Sequence, residues 1–421
     1  MDFRALPSGP VTLENVTIPA CLVGQPGDLI RTSISLADGH ITGPQNIALD
    51  MGGAMVLPGF IDMHTHLDKG HIWNRAPNPD GTFMGALTTV GTDREARWSA
   101  SDVRRRADFA LRCAWAHGTR AIRTHLDSIP PQDDISWGVF RDLRDDWAGR
   151  IELQAACLLG CDRIELSGSF LHTADLVAQS GGVLGMVTYP IPDLPERLRA
   201  FLTIAAQRNL HVDFHVDETM DASSETLRAI AEAISETGFD APVTVGHCCS
   251  LSTQGEGRAL STLDLVAKAA INVVSLPMCN LYLQDRHANR TPRGRGITLV
   301  HEMKARGINV SFASDNTRDP FYAFGDLDML EVLRQATRIG HLDHGDPDWV
   351  QSVLANPARA CGFPAPSLAI GAPADLSIFN ARNWSELFSR PHADRIVLHD
   401  GLQIDRKLPD YSELDDLMEP S

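Results

Sequence analysis

His64 and His66 stand two residues apart where the apolar run of PGFIDMHTHLDKG (58 to 70) gives out. A strand alternates its side chains with a period of two, so both imidazoles leave one sheet edge on the same side. Neutral imidazole is the commonest protein ligand for a divalent transition metal, and two of them supply half of a four-ligand shell. The other half must come from other strand ends. Apolar, β-rich runs close on His125 (TRAIRTH), His215 (LHVDFHV), His247 (APVTVGH) and Asp315 (INVSFASD). With 16 histidines in 421 residues, this concentration at strand termini is not what chance placement gives.

The predicted shell is His64, His66, His215 and Asp315. Three imidazoles and a carboxylate suit Zn2+ or Fe2+ and leave a position for water, which the ion acidifies toward neutral pH. A second ion usually needs a bridging anion near the fourth strand, often a carboxylated lysine. No lysine lies between Lys69 and Lys268, so a single divalent ion is expected. Glu218 follows His215 by three residues, where a carboxylate can shuttle protons between water and a ring nitrogen or leaving group. His247, if it is not a ligand, can orient the hydroxide, and Asp315 has a second role as a base toward it. His125 is assigned to the second layer behind the ligands. Cys248 and Cys249 fit buried packing better than nucleophilic work. His71, Trp73 and Arg75, on the long loop after the first strand, are in reach of a pocket.

These residues need a scaffold that brings strand ends together. Eight strands can be counted: 56–64, 119–125, 151–159, 181–189, 210–216, 241–247, 271–277 and 308–315. Amphipathic helical stretches such as 100–118 and 194–209 separate them and end near Gly or Asn stop signals. Eight strand and helix units over some 300 residues predict a (β/α)8 TIM barrel spanning 58–365, with its chemistry at the C-terminal strand ends. An open doubly wound sheet would carry a Gly-rich phosphate loop after an early strand, and Gly255-Glu-Gly257 lacks the third glycine. Residues 1–57 read as short strands with a hairpin signal at Asp38-Gly39, and 366–421 return to that texture. The expectation is a small β-sandwich domain formed by both chain termini, with the acidic end DYSELDDLMEPS solvated.

Composition narrows the partners. A formal charge of −17, with no basic run to offset it, repels nucleic acid and points to a small molecule. Eight cysteines without framework spacing, no leader pattern in MDFRALPSGP and no long apolar segment predict a cytoplasmic protein with no membrane partner. Association into a homo-oligomer is left open.

The motifs together resemble the amidohydrolase superfamily, and within it the bacterial cytosine deaminase branch: PGFIDMHTHLDKG, RTHLD (123–127), DFHVDE (213–218), GHCCSLS (246–252), NLYLQDR (280–286), RTPRGRGIT (290–298), GINVSFASDNTRDPF (307–321) and the GAPADL turn. The resemblance implies a mononuclear iron or zinc site and hydrolytic removal of ammonia from an amino-substituted N-heterocycle. His64, His66, His215 and Asp315 would be ligands, Glu218 the proton shuttle and His247 the group that positions the hydroxide. Substrate contacts would fall to Gly160, Gln284, Asn316, Arg318 and Phe321. Gly160 stands near the place of a ring-reading glutamine, Asn316 replaces an aspartate, and Phe321 replaces a tryptophan, so cytosine itself is a poor fit. Arg163 or Arg318 could instead favour an acceptor-rich or anionic ring. Two other readings remain: opening of a cyclic amide or removal of an N-alkylamino group, of triazine or imidazolone type, and an inactive metal-binding barrel.

Overall fold

The computed structural model describes residues 5–390 and 394–419. Eight parallel strands carry the centre of the molecule. Phe60–Thr65, Thr119–Asp127 and Glu152–Leu158 form one sheet; Leu184–Thr188, Val212–Val216, Val243–His247, Asn272–Ser275 and Val310–Phe312 form another, with neighbours in chain order. Single parallel bridges join the two sheets at both edges: Ala156 to Val183 and Gly160 to Val187 on one side, Thr65 to Asp315 on the other. All eight expected strands are present. The first begins later than the sequence suggests, because Met55–Pro58 pairs instead with Leu376–Phe379 in the terminal sheet.

Helices follow the strands because their apolar residues recur at helical spacing. In Ala100–His117 the buried positions Val103, Ala107, Ala110, Leu111 and Ala114 line one face. Ser99 caps its start by accepting from the Asp102 N–H, and Gly118 ends it in a left-handed turn at φ 93°. A side chain at Gly118 would place Cβ 2.4 Å from the Ser377 hydroxyl, so this glycine also lets the terminal sheet approach. Burying a Val or Leu side chain on such a face contributes about 1.5–3 kcal/mol. Among the described residues no helix is long and apolar enough to cross a membrane.

Among the described residues, strands from both ends of the sequence share one sheet. Its eight strands are hydrogen-bonded into a single sheet, ordered Leu402–Gln403, Arg395–His399, Leu376–Phe379, Met55–Pro58, Val11–Pro19, Leu29–Ala37 and His40–Thr42, with Ala48–Asp50 also on Val11–Pro19. The strand pairing thus gives one sheet rather than the two separate sheets of the expected sandwich. Asp38 and Gly39 turn the hairpin with φ of 50° and 78°, as the dipeptide predicts. The acidic C-terminal segment keeps its acids exposed, as expected, but over 410–419 it is also docked on the helix Ala100–His117. Leu414 is buried against Phe109 and Cys113, and Glu413 and Asp416 pair with Arg112 and Arg105.

Candidate active site

Along the first strand Asp62, His64 and then His66 face the same way, as the period of two requires. Three ring nitrogens converge there: His64 Nε2 lies 3.1 Å from His215 Nε2, which lies 3.4 Å from His66 Nε2. Asp315 Oδ1 stands 3.1 Å from His66 Nε2 and 3.5 Å from His64 Nε2. All four residues are buried, and neither Asp315 oxygen has a hydrogen-bond partner among the described residues. Burial holds the three imidazoles well below their usual pKa, so they are neutral and present lone pairs. Burial likewise pushes the Asp315 carboxyl up to about 8, which a cation beside it would reverse. Four donors at about 2.1 Å from a tetrahedral ion stand about 3.4 Å apart, so the observed spacings fit a divalent metal.

Asp315 is held in place from the first strand. Its N–H donates to the His64 carbonyl at 2.8 Å, and next door the Ser314 hydroxyl and N–H both donate to Asp62, at 2.5 and 3.1 Å. His125 also enters the cluster: its ring centroid is 4.0 Å from that of His64. Its Nε2 is 3.2 Å from Asp213 Oδ1, while Arg123 holds the other Asp213 oxygen at 2.9 Å. Candidate metal-binding sets therefore include His64, His66, His125 and His215, and also His64, His247 and Asp315.

Glu218 and His247 meet beside this group, with His247 Nδ1 3.5 Å from Glu218 Oε1. Burial, and then the Asp315 charge, raise the Glu218 pKa well above the ordinary carboxylate range. The residue the sequence reading missed is Asn280. Its amide nitrogen lies 3.0 Å from His247 Nδ1 and 3.4 Å from Glu218 Oε1. When ionised, Glu218 can only accept, and in that state it fixes which end of the amide faces it. The amide nitrogen then donates to His247 Nδ1, and the His247 proton resides on Nε2. That N–H has no partner among the described residues. NLYLQDR was visible as a motif, but nothing in the sequence says that Asn280, buried in the middle of the helix Pro277–Leu283, meets His247 33 residues before it.

Asp217 is an anchor rather than a second proton carrier. Its carboxylate accepts from Ser224 and Thr226 hydroxyls, both at 2.7 Å, and from the Thr226 and Leu227 N–H groups at 3.0 Å. Cys248 and Cys249 are fully buried, and burial raises both thiols well above their usual pKa, in line with packing.

The expected substrate residues are scattered over several loops. Gln284 donates to the Glu218 carbonyl at 3.1 Å, and Asn316 donates to Asp319 at 2.8 Å. Phe321 packs edge-on to Phe83. Gly160 lies under Tyr189, whose hydroxyl donates to Asp162 at 2.5 Å; a Cβ on Gly160 would come within 2.6 Å of that hydroxyl. Arg163 is exposed. The Arg318 guanidinium lies 4.2 Å over the Tyr411 ring, in the docked C-terminal segment. Arg75 does not reach a pocket: Asp93 and Asp102 hold it in a buried ion-pair cluster. His71 packs on Phe109. Lys69, read only as the lysine nearest the start of a gap, is buried at the strand ends and pairs with Asp127 at 2.8 Å.

A model of the amidohydrolase family matches residues 48–131 and 153–402. The chain is 52% identical over 417 residues to the pterin deaminase of Rhizobium rhizogenes, which covers 96% of this chain and 95% of that protein. It matches 5-methylcytosine deaminase from Klebsiella pneumoniae liganded with phosphonocytosine at a TM-score of 0.80 and 26% identity, over 94% of this chain and 98% of the other. N-isopropylammelide isopropylaminohydrolase from Burkholderia multivorans shares the fold at a TM-score of 0.71 and 23% identity, over 94% and 98%.

Proposed function

We propose, because the chain belongs to the amidohydrolase family and is a hydrolytic deaminase of N-heterocycles, that its substrate is a pterin. Water would replace the ring amino group, giving the oxo ring and ammonia. The observation that carries this reading is the 52% identity to a pterin deaminase over nearly the full length of both chains. The resemblance to cytosine deaminases is more distant, and Gly160, Asn316 and Phe321 depart from the cytosine-reading pattern.

In this reading the eight parallel strands close into a barrel over 58–365. Residues 1–57 and 366–421 make the second domain, whose sheet wraps around a core that includes Val16, Ile34, Val56 and Ile378. His64, His66, His215 and Asp315 hold one divalent ion, zinc or iron, with His125 and Asp62 supporting them. Bound there, the ion supplies Lewis acidity that eases proton loss from water near neutral pH. Glu218 would take that proton and deliver it to the ring nitrogen, then carry the second proton, from the hydroxyl of the adduct, to the amino group, which leaves as ammonia while the oxo group forms; this is work suited to a carboxyl of raised pKa. The His247 Nε2 N–H donates to the oxygen that attacks. The acidic charge and free cysteines support a cytoplasmic protein acting on a small molecule.

The test is ammonia release by zinc- and iron-loaded protein from pterin, 5-methylcytosine and an N-alkylamino triazine. Pterin should be the best substrate, chelation should abolish turnover, and Glu218→Gln should lower kcat by about 10²–10⁴-fold with the metal retained. Faster release of an alkylamine from the triazine would replace this reading with N-dealkylation, and no turnover of any ring would overturn it.

A further inference from the structure

We infer that Lys69 is a substrate-contacting residue that donates a hydrogen bond to a ring oxygen neighbouring the reacting amidine, and so selects amino-substituted rings carrying an oxo group. The inference rests on the proposed deaminase reading. It begins from position. Lys69 leaves the first strand three residues after His66, its ammonium is 2.8 Å from Asp127 at the end of the second strand, and it lies 5.5 Å over the Phe321 ring of the loop after the eighth. Those three elements carry or adjoin His66 and Asp315, so the ammonium sits at the rim of the histidine cluster. It is nevertheless only 4% exposed.

The charge balance leaves it available. Asp127 is shared, since Arg94 holds its other oxygen at 2.9 Å. Two cations thus face one carboxylate, and one oxygen of the neighbouring Asp68 is turned to other donors, accepting from the Asp127 N–H at 2.8 Å and the Ser136 hydroxyl at 3.3 Å. Asp319, the other nearby carboxylate, is occupied by the Asn316 amide and the Phe321 N–H, each at 2.8 Å. An ammonium has three N–H donors, and Asp127 is the one hydrogen-bond partner found for them among the described residues. A buried cation with donors to spare calls for an acceptor, and structure alone gains little from it.

The reaction supplies one. As water attacks the amino-bearing carbon, the C–N π pair moves onto the ring nitrogen that Glu218 protonates. In the pterin tautomer whose double bond runs from C2 to N3, that nitrogen adjoins the C4 carbonyl, and the carbonyl oxygen shares the charge. A cation at this oxygen binds the transition state better than the ground state. It also takes the part of the ring-reading glutamine that Gly160 cannot play.

The experiment compares pterin with its 4-thioxo analogue, whose sulfur is a weak acceptor, in wild type, Lys69→Met and Lys69→Gln, each with metal content measured. The wild type should prefer the oxygen. Lys69→Met should lose about 10²-fold or more in kcat/KM on pterin, mostly in kcat, and much less on the thioxo ring, so the preference collapses. Lys69→Gln, which keeps a neutral donor, should fall between, and it carries the test if the Met variant does not fold. Equal losses on both rings, or no loss on pterin, would overturn the inference while leaving the deaminase reading intact. A metal-loaded wild type inactive on both rings would overturn that reading and this one with it.

Discussion

Replacing Asn280 tests whether the His247 tautomer is set by the chain of contacts that runs from Glu218. Asn280→Leu keeps the volume and removes both hydrogen bonds. The 3.0 Å bond to His247 is the stronger; its loss in a buried site costs about 1–3 kcal/mol. The 3.4 Å contact to Glu218 is near the limit of hydrogen bonding and adds at most about 1 kcal/mol. If that cost falls on the transition state, kcat/KM drops by about 5- to 150-fold or somewhat more. Asn280→Asp, although the closer isostere, should be worse. Its carboxylate accepts a proton from His247 Nδ1, which moves the lone pair to Nε2, and it adds a like charge beside Glu218.

The ordering is the discriminating result, because a residue that merely fills space predicts the opposite. Steady-state ammonia release from pterin gives kcat and KM, and metal stoichiometry of each variant shows that the ligand cluster has survived. We expect Asn280→Asp to be at least about tenfold slower than Asn280→Leu. An Asp variant faster than the Leu variant, or both within about threefold of wild type, would refute the argument.

Two other outcomes concern stability. Asp328 and Arg395 form a buried ion pair, 2.6 Å and 2.9 Å, between a helix of the central unit and the terminal sheet. Burial opposes the Asp328 charge, but Arg395 and then His117 outweigh it and hold the pKa below the usual carboxylate range. A depressed folded pKa means stability present above the unfolded value of about 3.9 and lost as pH falls through the folded value. Asp328→Asn should therefore cost about 3–5 kcal/mol at pH 7, and urea midpoints should show the gap from wild type starting to close only below about pH 4. In the docked C-terminal segment, Leu414→Ala should cost about 2–3 kcal/mol by the same assay, whereas Asp416→Asn, which breaks an exposed pair, should stay within about 0.5 kcal/mol; equal effects would show that charge, not packing, docks the segment.

The eight strands were legible because parallel strands buried on both faces write continuous Val- and Ile-rich runs, and the candidate ligands because they interrupt those runs at one end. Period and position sufficed for His64, His66, His215 and Asp315 to be singled out. Less was legible where partners are distant in sequence. The docking of the C-terminal segment was hidden because Arg105 and Arg112, the partners of Asp416 and Glu413, precede them by 311 and 301 residues. Arg75 looked like a pocket residue because Asp93 and Asp102 become its partners only once two helices pack. The terminal strands showed their texture but not their pairing, since short strands of similar pattern leave the register open. Lys69 was passed over because it served only to mark the start of a lysine-free stretch, and its partner Asp127 is 58 residues away.

The same atoms that complete the candidate metal shell also join the two parallel sheets. Asp315 is bridged to Thr65 and its N–H donates to the His64 carbonyl, so the first and eighth strands meet where their candidate ligands do. The conformations there are unfavourable ones: Asp217, His247, Cys248 and Asp315 all have positive φ, from 48° to 68°. Each such residue costs about 1–2 kcal/mol, and they persist because the surroundings impose them. Asp217 does so through four hydrogen bonds, Asp62 through Ser314, and the Cys248 N–H through the Val216 carbonyl at 2.9 Å. A cluster of candidate ligands whose backbone is held by these hydrogen bonds and by the bridge between the two sheets is preorganised before any ion binds. Loss of metal should then leave the strands in place, and substrate choice should vary through the loop residues Lys69, Gly160, Asn316 and Phe321 without disturbing the cluster beneath them.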